Sequence, residues 1–287
     1  MSVNPKSIAL MIIAMGCLTL TDLLIKIASQ TLPIGQVMIS YGFGSLLVFW
    51  VLLRTKGESI RLSPLTNPTV IFRNIGDLIA LNGMFLALVY VPLSTIGAVI
   101  QTVPILVTVA AALFLGEQVG LRRVSAIFVG FLGTLLIIQP GSATFDVTAI
   151  LALIAAVGMA LRDIATKLVR ENLSTLLLSF YSCFLFIISG SVLLIIKGEA
   201  SLPDVDNIVT VAAMIATGSM GFFFMTEAVR LGEMSVVSPF RYTRLLFSMA
   251  AGILILGEQV NTYMIIGSLL TILSGLYIWR REIVMQS

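Results

Sequence analysis

The chain has 287 residues, 58% of them hydrophobic and 11% charged, with a mean hydropathy of +1.08. Polar side chains must cover a soluble fold of this size, so the composition excludes a soluble enzyme and fits helices that meet lipid as well as one another. Two cysteines and no histidine exclude a disulfide scaffold, a histidine metal site and histidine acid–base chemistry, while the excess of 17 Lys and Arg over 14 Asp and Glu gains meaning only once those residues are placed.

A membrane-crossing helix needs about 20 mostly apolar residues, and ten segments meet that measure. The first, 7–28, holds Asp22 and Lys26 one turn apart; its length and charges exclude a cleavable signal peptide. The second, 34–53, leads to a loop carrying the turn-formers Gly57, Pro64 and Pro68. The third, 70–90, contains Arg73, Asp77, Asn82, Phe85 and Tyr90. In the fourth, 93–115, Pro104 follows Gln101 and Thr102 and is expected to kink the helix. Gly130 and Gly133 mark the fifth, 122–139, as a place of close helix approach. The sixth, 147–168, carries Arg162, Asp163 and Lys167, and the seventh covers 174–196. Glu227 lies in the eighth, 208–230. The ninth, 234–256, bears Pro239, Arg241, Tyr242, Thr243 and Arg244. The tenth, 262–279, has the small residues Gly267 and Ser268.

The basic residues orient these spans. With a cytoplasmic N-terminus, the cytoplasmic loops and helix ends hold Lys6, Arg54, Lys56, Arg61, Arg122, Arg123, Arg170, Arg230, Arg280 and Arg281. The opposite loops hold only Lys197, beside Glu199, Asp204 and Asp206. This is the positive-inside bias, with both termini cytoplasmic, and Trp50 and Trp279 fall at cytoplasmic interfaces. The positive charge therefore reads as membrane topology, not as a nucleic-acid surface.

The chain also matches itself at an offset of 141 residues. Leu115-Gly116-Glu117-Gln118-Val119 returns as Leu256-Gly257-Glu258-Gln259-Val260, and Lys56-Gly57-Glu58 as Lys197-Gly198-Glu199. Asp22, Lys26 and Ser94 return as Asp163, Lys167 and Ser235. Each half, 1–141 and 142–287, has five spans. Five is odd, so the second half must enter the membrane from the opposite side. The expected architecture is an all-α integral membrane protein of ten helices in two inverted-topology repeats, an arrangement typical of secondary transporters with a midplane site. Ten spans, inverted halves and a Leu-Gly-Glu closing the fourth and ninth spans resemble the EamA-type branch of the drug/metabolite transporter superfamily. The resemblance covers nearly the whole chain. It implies a transport cavity among spans 1, 3, 4, 6, 8 and 9, and it leaves the substrate open.

Charges inside spans are costly and usually face protein or water. Arg241 and Arg244, three residues apart on one face, suit a carboxylate or phosphate through paired hydrogen bonds. They are the expected contacts for an anionic group, with Tyr242, Gln101, Asn82 and Tyr90 as further candidates, and Phe85 as part of a stacking wall. The competing reading makes the arginines structural salt bridges. Asp77 and Glu227 are the expected counter-ions or proton-coupling groups, unless they pair locally with Arg73 and Arg230. Asp22–Lys26 and Asp163–Lys167 are candidate gate pairs, or charge simply neutralised within one helix. Ile100 and Val103 stand where the repeat places Arg241 and Arg244, so the site is basic on the ninth span and neutral on the fourth. Glu117 and Glu258 read as interface residues bonded to the start of the next helix.

The expected function is that of a secondary transporter, not an enzyme, moving a small organic metabolite across a bacterial inner membrane by alternating access. The metabolite is anionic or zwitterionic, amino-acid or cofactor-like. A lipid-carrier flippase or lipid-phosphate transporter of the same fold is the alternative. No cofactor, metal or nucleic acid is expected. The partners are the metabolite and the lipid bilayer. A coupling proton or counter-substrate stays open, as do direction of transport and oligomeric state.

Overall fold

The computed structural model describes residues 5–107, 109, 121–139, 147–169, 173–198, 200–231 and 238–286. The side chains of 121–124, 127, 167, 226, 229–230, 238–239, 275 and 278–286 lie outside that description. Ten α-helices are present among the described residues. They are α1 (Pro5–Ala28), α2 (Ile34–Thr55), α3 (Pro68–Tyr90), α4 (Leu93–Ile100), α5 (Leu121–Ile138), α6 (Ala149–Leu168), α7 (Thr175–Lys197), α8 (Val205–Leu231), α9 (Thr243–Leu254) and α10 (Thr262–Gln286). Six stretches are long and apolar enough to cross a membrane: α1, α2, α3, Ala149–Thr166 of α6, α7 and Val205–Met225 of α8. Shorter apolar stretches lie in Leu93–Val107, Phe128–Ile138 and Thr262–Ser274.

Local chemistry sets the helix ends. Asn67 and Ser174 side chains accept from Thr69 N–H (2.9 Å) and Leu177 N–H (3.2 Å), capping α3 and α7. Asn261 does the same for Met264 N–H at the start of α10 (2.7 Å). Gly57 and Gly198, one repeat length apart, stop α2 and α7 with φ of +69° and +67°, backbone that glycine adopts without a Cβ clash. Their recurrence in the sequence thus has a structural cause.

Two expected spans are not single continuous helices. Helical backbone stops after Ile100, turns at 101–102 and resumes over 103–107. Gln101 N–H and Thr102 N–H bond three residues back, to Ala98 and Val99 carbonyls, and Pro104 has no N–H to continue the α ladder. The ninth span is likewise divided. A 3₁₀ turn, Ser238–Tyr242, contains Pro239 and leads into α9. Arg241 therefore sits in the 3₁₀ turn and Arg244 in the first turn of α9, rather than both midway down one helix.

The helices pack in pairs: α1 with α8, α2 with α7, α3 with α6, α4 with α9, and α5 with α10. Exchanging the first five helices with the last five maps this set onto itself. Small residues bring the backbones together. A Cβ on Gly35 would lie 2.6 Å from Gly190 O, and one on Gly133 would lie 2.7 Å from Gly267 O. Thr271 Oγ1 donates to Gly130 O (3.4 Å), so two residues 141 apart touch each other. The main core joins the end of α1 to α2, α3, α4 and α6 through Met38, Met84, Phe85, Leu88, Ile96 and Ala155, and extends to Met214 of α8, Leu245 of α9 and Met264 of α10. Many large apolar side chains point outward, among them Phe43, Leu47, Ile188, Ile195, Leu246 and Leu269. Such a surface is unsuited to water and suited to lipid.

Candidate functional site: an ionic column in the helix bundle

Buried and half-buried charges from five helical segments meet inside the bundle. On α3, Asp77 lies 3.5 Å from Arg73, one turn earlier, and 3.5 Å from Arg162 of α6. Gly76 makes the second contact possible: a Cβ there would stand 2.7 Å from the Arg162 backbone nitrogen, so only glycine lets α6 come so close. Ser182 of α7 donates to Asp77 and accepts from Arg73 Nη1 (3.1 Å). Arg162 Nε and Nη2 both donate to one oxygen of its neighbour Asp163 (3.1 and 3.0 Å), whose other oxygen takes Arg241 Nη1 at 3.4 Å. Among the described residues, three guanidiniums thus face two carboxylates in one connected network. Beside it, Arg244 Nη2 donates to Asp22 of α1 at 2.5 Å.

The two arginines accordingly reach Asp163 and Asp22, not the expected Asp77 and Glu227. The two aspartates stand at the same place in the two repeats, and both reach the ninth span, Asp163 at its 3₁₀ turn and Asp22 at the start of α9. Asp77 takes its local partner Arg73 and adds Arg162. Glu227 is elsewhere, lining a small cavity with Lys56, Glu58, Ser179 and Phe222; its candidate local partner Arg230 falls outside the described side chains.

The Asp22–Lys26 gate pair is not formed. Lys26 Nζ donates instead to Leu88 O (3.1 Å) and Val91 O (2.6 Å) at the end of α3. Asp163 pairs with Arg162 and Arg241, and the Lys167 side chain lies outside the description. Glu258 bonds to the start of α4 in the other half rather than to the next helix in sequence: Leu93 N–H (2.6 Å), Ser94 N–H (2.8 Å) and Ser94 Oγ (2.8 Å) donate to its carboxylate. Gly257, at φ +67°, turns the chain after α9 so that Glu258 N–H returns to Gly252 O (2.9 Å). Glu117 falls outside the described residues.

Several polar candidates serve the helices themselves. Gln101 Nε2 donates to Gly97 O one turn earlier (3.2 Å). Asn82 Nδ2 bonds Leu78 O (2.8 Å) and Ser189 Oγ (3.0 Å), joining α3 to α7. Phe85 is buried between Tyr41 and Phe186, whereas Tyr90 is about half exposed at the end of α3. Ser268 donates to Met264 O in its own helix (2.6 Å). Tyr242 is buried, and its hydroxyl, like Arg241 Nε, has no hydrogen-bond partner among the described residues. Sequence reasoning missed Ser182 and the linking role of Arg162. Arg162 carried a signal, as a third charge in span six, but Ser182 is one serine among several in an apolar span.

The two-half organisation has relatives. Residues 5–139 and again 147–280 match the EamA-like transporter family. Over 279 residues the chain is 24% identical to a pseudopaline exporter of Pseudomonas aeruginosa, covering 96% of this chain and 97% of that protein. It is 25% identical over 190 residues to an S-adenosylmethionine uptake transporter of Rickettsia felis, 65% of this chain and 63% of the relative. A riboflavin transporter of Brucella anthropi is 27% identical over 200 residues, 68% of this chain and 70% of the relative. One solved crystal structure superposes with a TM-score of 0.63 over 97% of this chain and 99% of the other at 16% identity, a likeness of fold alone. With nearly its whole length matched, in two halves, this multi-pass membrane protein belongs to the EamA-like transporter family.

Proposed function

We propose that the protein is a secondary transporter moving a small organic metabolite with an anionic or zwitterionic group across the bacterial inner membrane by alternating access. Its ten spans form two inverted five-helix repeats, 1–141 and 142–287, with both termini cytoplasmic. The constant 141-residue offset, the positive-inside bias and the exchange-symmetric helix pairing support this topology. The carrying observation is the ionic column. Asp163 and Asp22 occupy Arg241 and Arg244 as an incoming anion would, and among the described residues the network around Arg241 has three guanidiniums for two carboxylates. Arg241 Nε and the Tyr242 hydroxyl, without a hydrogen-bond partner among the described residues, offer two further donors. A ligand carboxylate or phosphate exchanges with the aspartates, and an ammonium group on the same ligand meets the carboxylate it frees.

Binding of a metabolite panel to the purified protein tests this reading. The best ligand should lose at least tenfold in affinity on Arg244→Ala and on Arg241→Ala, since a charge-assisted bond contributes about 1.5–3 kcal/mol. Unchanged affinity in both variants overturns the assignment.

A further inference from the structure

Side chains from outside the α3–α4 hairpin hold both of its helix ends. Lys26 of α1 donates to Leu88 and Val91 carbonyls, and Glu258, just beyond α9, accepts from Leu93 N–H, Ser94 N–H and Ser94 Oγ. A cation therefore sits on the carbonyl end of α3 and an anion on the amide end of α4, each sign matched to its helix dipole. Val91, Leu93 and Ser94 are each 1% exposed, so the groups the two side chains hold are packed against protein, while Pro92 between them is exposed at the hairpin tip. The Asp22–Arg244 pair joins the same outer elements, α1 and α9, about 6 Å below Lys26 at 1.5 Å per residue.

We propose that Lys26 and Glu258 form a releasable clamp that closes one end of the transport path, the periplasmic end in the topology above; the inference rests on the alternating-access reading. A path between α1, α3, α4 and α9 cannot widen at this end while five hydrogen bonds tie α1 and α9 to one hairpin. Release is cheap, because each freed group meets water at the opened mouth and exchanges one hydrogen bond for another. The ion pair below supplies the link: a ligand anion that takes Arg244 from Asp22 removes a tie between α1 and α9, beside the clamp those elements carry. Lys26, Ser94 and Glu258 each belong to the 141-residue repeat, so the set recurs as residue types in the other half.

The clamp predicts side-specific accessibility. The parent for the test has Cys17→Ser and Cys183→Ser, with Ile100→Cys as reporter, a position 6% exposed and six residues into α4 from Ser94. Whole cells and inverted vesicles are labelled with a membrane-impermeant maleimide. Glu258→Gln should raise labelling at least tenfold from the periplasmic face, and Glu258→Asp should return it towards the parent. Ser94→Ala removes one of the three Glu258 bonds and should raise labelling severalfold, which serves if Glu258→Gln does not fold. Unchanged labelling in folded variants overturns the clamp, as does a lowered melting temperature with no rise in labelling. A rise from the cytoplasmic face alone upholds the clamp and overturns the proposed orientation.

Discussion

Replacing Asp22 by asparagine separates two possible partners, Lys26 one turn along α1 and Arg244 on α9. The Asp22–Arg244 contact is 2.5 Å, with the two side chains 11% and 13% exposed. Removing one member of a buried ion pair costs about 3–5 kcal/mol, since the other charge loses its partner away from water. Both side chains keep some exposure, so about 3 kcal/mol is expected here. At roughly 2–4 °C per kcal/mol for a chain near this size, the melting temperature falls by about 6–12 °C. Arg244→Gln alone should cost a similar amount, and Asp22→Asn with Arg244→Gln should show a coupling of about 2–3 kcal/mol. In the matching cycle with Lys26→Gln the two effects should add within about 0.5 kcal/mol, because Lys26 bonds carbonyls of α3. Thermal melts of the purified protein, followed by loss of the monodisperse fraction, measure both cycles. Additive Asp22 and Arg244 effects, or strong coupling to Lys26 instead, would refute the reasoning.

Other substitutions test packing and the site. Gly267→Ala puts a Cβ 2.5 Å from Gly133 O and should destabilise by about 1–3 kcal/mol in the same melts. Gly198→Ala, in open space at φ +67°, should cost only about 1–2 kcal/mol, from backbone strain. Asn82→Ala should cost about 0.6 kcal/mol, the mean for an interhelical bond in a membrane, and leave ligand affinity unchanged; a tenfold affinity loss would return Asn82 to the site. Arg241→Lys should weaken the best ligand of the panel at least tenfold, because a point charge replaces a planar fork; titration calorimetry reads the loss, and equal affinity would remove Arg241 as a contact.

Much of the site was legible as a list of charges. Asp22, Asp163, Arg241 and Arg244 stand out because a charge in an apolar span is expensive to keep there. Their pairing was not legible, because helical spacing offers only local partners: Lys26 for Asp22, Arg73 for Asp77. Arg73 took its local partner; Lys26 did not, since the carbonyl end of α3 lies within reach of its ammonium. Glu258 shows the same limit. Its place after a helix-ending glycine was visible in the motif, whereas the helix it caps lies 165 residues away in sequence.

The sequence by itself marked the apolar stretches and the kink at Pro104, and showed that the two halves share one plan; that spans four and nine break into separate segments came from the structure. Hydropathy, caps and proline geometry act along the chain, so one dimension suffices to read them. Only the tertiary structure decided which acid meets which base. That depends on which helices lie side by side, and glycine approaches such as Gly76 against Arg162 and Gly133 against Gly267 govern it. Arg73 and Arg162 keep acids of their own helices, but the links between helices, Arg162 to Asp77, Arg241 to Asp163 and Arg244 to Asp22, come from packing.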